Sequence, residues 1–135
     1  MSIFRPEIDK IAEIPVSALA YLGDAVFELH VRLHYLQPPQ NPKEYHQLVV
    51  NRVRAESQAQ FLSCLDLTPA ESELVRRGRN AAGSASRKLD PNIYQKATGF
   101  EVLIGYLYLT DPERLEQILT QLVQPNPSNP SNSAL

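Results

Sequence analysis

The chain has 135 residues, of which 43% are hydrophobic and 21% charged, and a formal net charge of −2. This fits one compact domain with a real core, and no apolar run approaches the ~20 residues that a bilayer-spanning helix needs. A pI of about 5.9 argues against a nonspecific nucleic-acid binder, and a single cysteine, Cys64, excludes an intramolecular disulfide or a thiolate zinc site and makes a reducing cytoplasm the expected setting.

The opening MSIFRPEIDK has no basic region followed by an apolar one, so no secretory leader is expected. A short helix is expected near 6–12. The first long helix begins just after Pro15 and is expected over 17–36. Within it, Leu22, Ala25, Val26, Leu29 and Leu33 form one stripe, and Ala20, Asp24, Phe27, Glu28 and Val31 form the opposite side. Both sides are largely apolar, which predicts burial on several sides. His30 and His34 are spaced i,i+4, but no HExxH motif accompanies them, so the spacing reads as the end of an amphipathic helix rather than a metal site.

Four further helix starts are marked by a capping residue followed by Pro: Asn41-Pro42, Thr68-Pro69, Asp90-Pro91 and Asp111-Pro112. Pro suits the first helical position, where its missing N–H has no partner in any case, and the preceding side chain can accept from the free N–H groups. Glu71, following Thr68, completes a capping box. Helices are therefore expected over 42–65, 69–77, 91–109 and 112–123. No stretch alternates with period two and no hairpin turn signal appears, so the fold class is all-α. Residues 1–124 are read as one domain. The Pro-, Ser- and Asn-rich end is read as a disordered tail over 125–135.

Two acidic residues sit oddly in this pattern. Asp24 lies in ALAYLGDAVFELHV, with Ala20, Tyr21, Phe27 and Glu28 at i±3 and i±4. Glu101 lies in IYQKATGFEVLIGYLYL, with Ala97, Thr98, Ile104 and Gly105 at those positions. Neither has a basic neighbour on its own helix. A buried charge must pair, bind a metal or take up a proton. Each acid could meet a basic residue of another helix or face solvent. Alternatively the two face each other across a cleft and share a hard cation such as Mg²⁺, which commonly takes one or two carboxylates and keeps several waters.

LAYLGDAVFEL resembles the signature of the ribonuclease III catalytic domain, and KATGFEVLIGYLYL resembles the second acidic helix of that family, in the same order and at a fitting separation. The resemblance runs from about Ile14 to Val123 and is strongest to the Mini-ribonuclease III branch, in which the catalytic domain stands alone. Longer members carry a glutamate where this chain has Ala20 and an aspartate where it has Thr98. The stretch after Glu101 is expected to be too short for the double-stranded-RNA-binding domain of those members.

The resemblance implies a homodimeric helical bundle whose signature helices pack near the two-fold axis. It implies an Mg²⁺-dependent endoribonuclease with Asp24 and Glu101 as catalytic metal ligands. The implied substrate is double-stranded RNA, specifically the large-subunit (23S) ribosomal RNA precursor, and a ribosomal protein or pre-ribosome is a further implied partner. The alternative is a catalytically silent RNA-binding or ribosome-assembly module on the same fold, which the absence of the two outer acids keeps open. Gly23 and Gly105 suit close helix packing, either within one subunit or between two. Glu28 either holds a water of the ion's shell or, the favoured reading, pairs with Arg32.

RRGRNAAGSASRK, residues 76–88, carries five positive charges and no acid. It reads as a pliable basic loop leading into the helix of Glu101. A bare charge run is usually a solvated face. Beside a carboxylate site it reads better as a phosphate clamp, insensitive to sequence and sensitive to salt. Arg76, Arg77, Arg79, Arg87 and Lys88 are the candidate RNA contacts, with Asn80 as a 2′-OH partner. Lys43, Arg52 and Arg54 are expected to be solvated.

Overall fold

The computed structural model describes residues 6–83 and 89–123, and no strand occurs among them. A 3-10 turn, Ile11–Glu13, precedes six helices: α1 Val16–His34, α2 Pro42–Val53, α3 Ala55–Cys64, α4 Pro69–Ala82, α5 Pro91–Thr110 and α6 Pro112–Val123. No helix among the described residues is long and apolar enough to cross a membrane. The expected tail over 125–135 lies outside the described residues.

The predicted starts hold at all four Pro positions. The side chains of Asn41 and Asp90 accept from the backbone N–H groups of Glu44 and Asn92, and Asp111 accepts from that of Arg114. Thr68 and Glu71 form the reciprocal capping box. Glu71 then receives the Arg114 guanidinium through both carboxylate oxygens, at 2.8 and 2.9 Å, and the same guanidinium donates to the Asp66 carbonyl. One ion pair thereby fastens the start of α4 to the start of α6.

The expected helix over 42–65 is two helices. Arg54 adopts an extended conformation between them. The break is held by polar side chains that take up backbone carbonyls: Ser57 Oγ donates to Asn51 O, and Gln58 Nε2 donates to Val53 O at 3.0 Å. Such local side-chain bonds compete with helix continuation, and no Pro or Gly announces them. The helix expected over 69–77 instead runs on to Ala82. Gly78 does not end it, because a Cβ there would meet Val102 at 2.8 Å and the Gly99 backbone at 3.1 Å, so the missing side chain serves helix contact. Gly83, at φ +65, provides the stop.

Helix α5 is the centre of the molecule. Phe100, Val102, Leu103 and Ile104 are fully buried, and α1, α3 and α4 pack around them. Phe27 of α1 meets Phe100 edge-on at 5.0 Å, and Phe61 of α3 closes the cluster. Helix α1 is not buried on several sides. It buries Leu19, Ala20, Gly23, Phe27 and Val31. The other stripe is open: Tyr21 is 84% exposed, Leu29 56% and Leu33 60%, with Leu36 beyond the helix at 53%.

The α1–α5 contact is made by backbone. A Cβ on Gly23 would lie 1.8 Å from the Glu101 carbonyl oxygen, and one on Gly105 would lie 2.1 Å from the Leu19 carbonyl oxygen. These glycines thus work within one chain. Neither carbonyl can move aside without breaking a helix. Gly23→Ala and Gly105→Ala are each expected to destabilise the fold by at least ~3 kcal/mol, the upper end of core overpacking. Gly83→Ala, with nothing within 4 Å of its Cβ position, should cost about 1–3 kcal/mol of backbone strain alone. Chemical denaturation of the three variants measures the ordering.

Candidate active site

Gly23 brings α1 against α5 one residue before Asp24, and the carbonyl it touches belongs to Glu101 itself. The two acids expected to face each other therefore do so. Their carboxyl groups are near enough for Asp24 to act on the ionisation of Glu101. They line one cleft of about 310 Å³ together with Ala20, Thr98, Gly78 and Ala81. Asp24 is exposed and Glu101 half-buried. Thr98, in the position of the missing outer aspartate, donates its hydroxyl to the Tyr94 carbonyl at 3.0 Å. Among the described residues no Lys or Arg lines the cleft.

This arrangement makes a proton or a cation necessary. Burial, the hydrogen bond with Asp24 and the charge of Asp24 push the Glu101 carboxyl up to about 8 from an ordinary 4.5, while a hydrogen bond from Gln58 favours the ionised form. The donor set is two carboxylate oxygen groups in an open cleft, with no cluster of three or more His, Cys, Asp or Glu among the described residues. It fits a hard divalent cation that completes its shell with water. Asp24 and Glu101 are the residues able to hold it.

Glu28 does not line this cleft; it forms the i,i+4 ion pair with Arg32. Arg52 corrects the expectation of a solvated group. Its Nε donates to the Tyr35 hydroxyl at 2.9 Å and its guanidinium lies 5.9 Å from the Phe61 ring centre, so it ties α2 to the end of α1 and to the core. Lys43 and Arg54 are exposed as expected, Arg54 beside Glu56.

The basic run is not a loop over its first half. Arg76, Arg77, Arg79 and Asn80 belong to α4. At about 100° per residue, Gly78, Ala81 and Ala82 form the face that lines the cleft, Arg77 and Arg79 flank that face, and Arg76 and Asn80 fall on the far side. Arg76 is engaged in a bidentate pair with Glu73, and Arg79 reaches Asn92 Oδ1 at 3.4 Å. Arg87 and Lys88 lie outside the described residues.

Sequence reasoning passed over Gln58. It is 1% exposed and touches Glu101 from α3. The available signal was a polar residue three and four positions before Phe61 and Leu62, on the apolar face of its helix.

The family model described as "Ribonuclease III domain" matches residues 17–112. The chain belongs to the ribonuclease III family. Within it, the chain is 56% identical over 111 residues to a protein named Mini-ribonuclease 3 from Synechocystis sp., covering 81% of this chain and 78% of the relative. It is 55% identical over 112 residues to the Mini-ribonuclease 3 of a Synechococcus species, covering 82% and 81%. A crystal structure of a Fusobacterium nucleatum protein superposes with a TM-score of 0.78 at 28% identity, covering 86% of this chain and 97% of that one.

The raised Glu101 carboxyl has a consequence for stability. In metal-free protein the native state keeps a proton that the unfolded chain releases above about 4.5. The contribution of this group is therefore full below pH 4.5, falls as pH rises toward 8 and is flat above. Thermal melts in EDTA across that range should show the parent losing stability relative to Glu101→Gln, whose side chain does not titrate. Parallel curves for the two proteins would show that Glu101 ionises normally.

Proposed function

We propose that the chain is an Mg²⁺-dependent endoribonuclease that cuts double-stranded RNA. The observation that carries this reading is the Asp24–Glu101 pair: two neighbouring carboxyl groups that line one open cleft, with no Lys or Arg beside them among the described residues. Endoribonuclease activity itself follows from the family and from relatives named Mini-ribonuclease 3. Asp24 and Glu101 hold the ion, which when bound supplies electrophilic stabilisation of a phosphoryl oxygen and activation of water. The small side chains of Ala20, Gly78, Ala81 and Ala82 leave room for a sugar–phosphate backbone to enter. Arg77 and Arg79 flank the entrance and contact phosphates, with Arg87 and Lys88 extending the contact; Arg76 and Asn80 are peripheral to it. The substrate is the paired region of the large-subunit (23S) ribosomal RNA precursor, met in the cytoplasm either free or with a ribosomal protein partner.

Ala20 and Thr98, in place of two further acids, favour a rival reading in which the module binds RNA without cutting it. The same variants separate the two. Asp24→Asn and Glu101→Gln are expected to reduce cleavage by at least ~10³-fold, in the range for loss of a principal electrostatic group at a reacting centre, while keeping duplex affinity. Arg77→Ala with Arg79→Ala should do the reverse: weaker binding, a log–log salt slope smaller by roughly 0.7–0.9 per lost contact, and a nearly unchanged rate at saturating RNA. Cleavage at the parental rate by either carboxylate variant would remove that residue from the site.

The working form is a homodimer. The open stripe of Tyr21, Leu29, Leu33 and Leu36 is apolar surface that a second copy of α1 would cover. Sedimentation at micromolar concentration should give a species of twice the 15.2 kDa chain mass, and Leu29→Glu with Leu33→Glu should shift it to the monomer. A parental protein that sediments as a monomer would refute the dimer.

A further inference from the structure

A buried polar side chain is kept in place by the partners that offset its desolvation. Among the described residues two such side chains are buried, Glu71 and Gln58. Glu71 is accounted for by its capping box and by Arg114. Gln58, at 1% exposure, is the deeper of the two, and its partners lie in two different parts of the molecule. Its Nε2 donates to the Val53 carbonyl at the α2–α3 break, at 3.0 Å. Its side chain also approaches the Glu101 carboxyl and favours the ionised form. An amide nitrogen carries two protons, so one can hold the break and the other the carboxylate.

The support behind Gln58 is rigid. One turn further along α3, Phe61 meets Phe27 and Phe100 at centroid distances of 5.9 and 6.4 Å. Phe100 precedes Glu101 directly. The amide and the carboxylate are thus carried on two helices locked by the same aromatic cluster. This matters because the cleft offers only two carboxylates, with Ala20 and Thr98 in the outer positions. A long, flexible Glu side chain must then be oriented by something other than a second acid.

We propose that Gln58 is a positioning residue, which fixes the Glu101 carboxylate in the orientation that takes up a divalent cation. This rests on the metal reading above. Gln58→Met is close in size and unbranched and lacks the amide. In the full-length variant, calorimetry without RNA should find Mn²⁺ binding weaker by about tenfold or more, the usual cost of removing a partner behind a ligand. Duplex RNA affinity in EDTA should be unchanged. Ser57→Ala is the control, because it loosens the same α2–α3 break without touching Glu101; its Mn²⁺ binding should match the parent. Parental Mn²⁺ affinity in the Met variant, or an equal loss in Ser57→Ala, overturns the proposal. If the parent itself binds no Mn²⁺, the metal reading falls and takes the proposal with it. If the parent binds and the Met variant binds equally, only the role of Gln58 falls. The parent alone gives a second readout that requires no variant to fold. On adding Mg²⁺, the side-chain amide NMR signals of Gln58 should move, while those of Gln47, bonded to Asn51, should not. Unmoved Gln58 signals overturn the proposal.

Discussion

The contact on which the rest of the structure depends is made by atoms that are absent. At Gly23 and Gly105 two helices approach until a single added carbon would penetrate the opposite backbone. Helix packing at ordinary distances is set by side chains. Here it is set by main chain, which leaves little freedom in how α1 and α5 are set against each other. Asp24 follows the first glycine directly, and the carbonyl that this glycine touches is that of Glu101. The position of the two acids is therefore built into the contact that closes the core.

That geometry also fixes the electrostatics. The molecule shows elsewhere how it satisfies a buried acid: Glu71 takes both arms of Arg114 and its carboxyl is held below the ordinary value by that hydrogen bond. Glu101 receives the opposite treatment. Burial and a neighbouring acid raise it, and among the described residues the aid to its charge is the neutral amide of Gln58. Two solutions in one small chain separate a carboxylate that an arginine neutralises from one that has no cationic partner among the described residues. The aromatic cluster of Phe27, Phe61 and Phe100 makes the arrangement stiff, so the unfavourable pair persists rather than relaxing toward solvent.

Much of this could be read from the chain before any coordinates. Four Pro-marked caps gave the helix starts, because capping is local chemistry that a sequence displays in full. Asp24 and Glu101 stood out because no residue one turn away could neutralise them, and the motifs around them carried the family. What failed were features decided by tertiary contact. The α2–α3 break depends on Ser57 and Gln58 taking carbonyls, with no Pro or Gly as a marker. Gly78 looked like the end of a helix and is instead a contact point for Val102 and Gly99. That error turned the first half of the basic run into a loop and hid that Arg76, Arg77, Arg79 and Asn80 are carried on a helix whose Gly78, Ala81 and Ala82 line the cleft. Arg52 looked solvated because its partners, Tyr35 and Phe61, are remote in sequence. Gln58 was overlooked because a glutamine among apolar residues has no significance until Glu101 is seen to face it.

The central claim is that the paired carboxylates take a divalent cation and use it to cut duplex RNA. The most direct test incubates the purified chain with an end-labelled RNA duplex in Mg²⁺ and, separately, in EDTA, and resolves the products on a denaturing gel. The account predicts internal cleavage of both strands in Mg²⁺ and intact RNA in EDTA. RNA that is bound but uncut in Mg²⁺, or cut equally in EDTA, would contradict it.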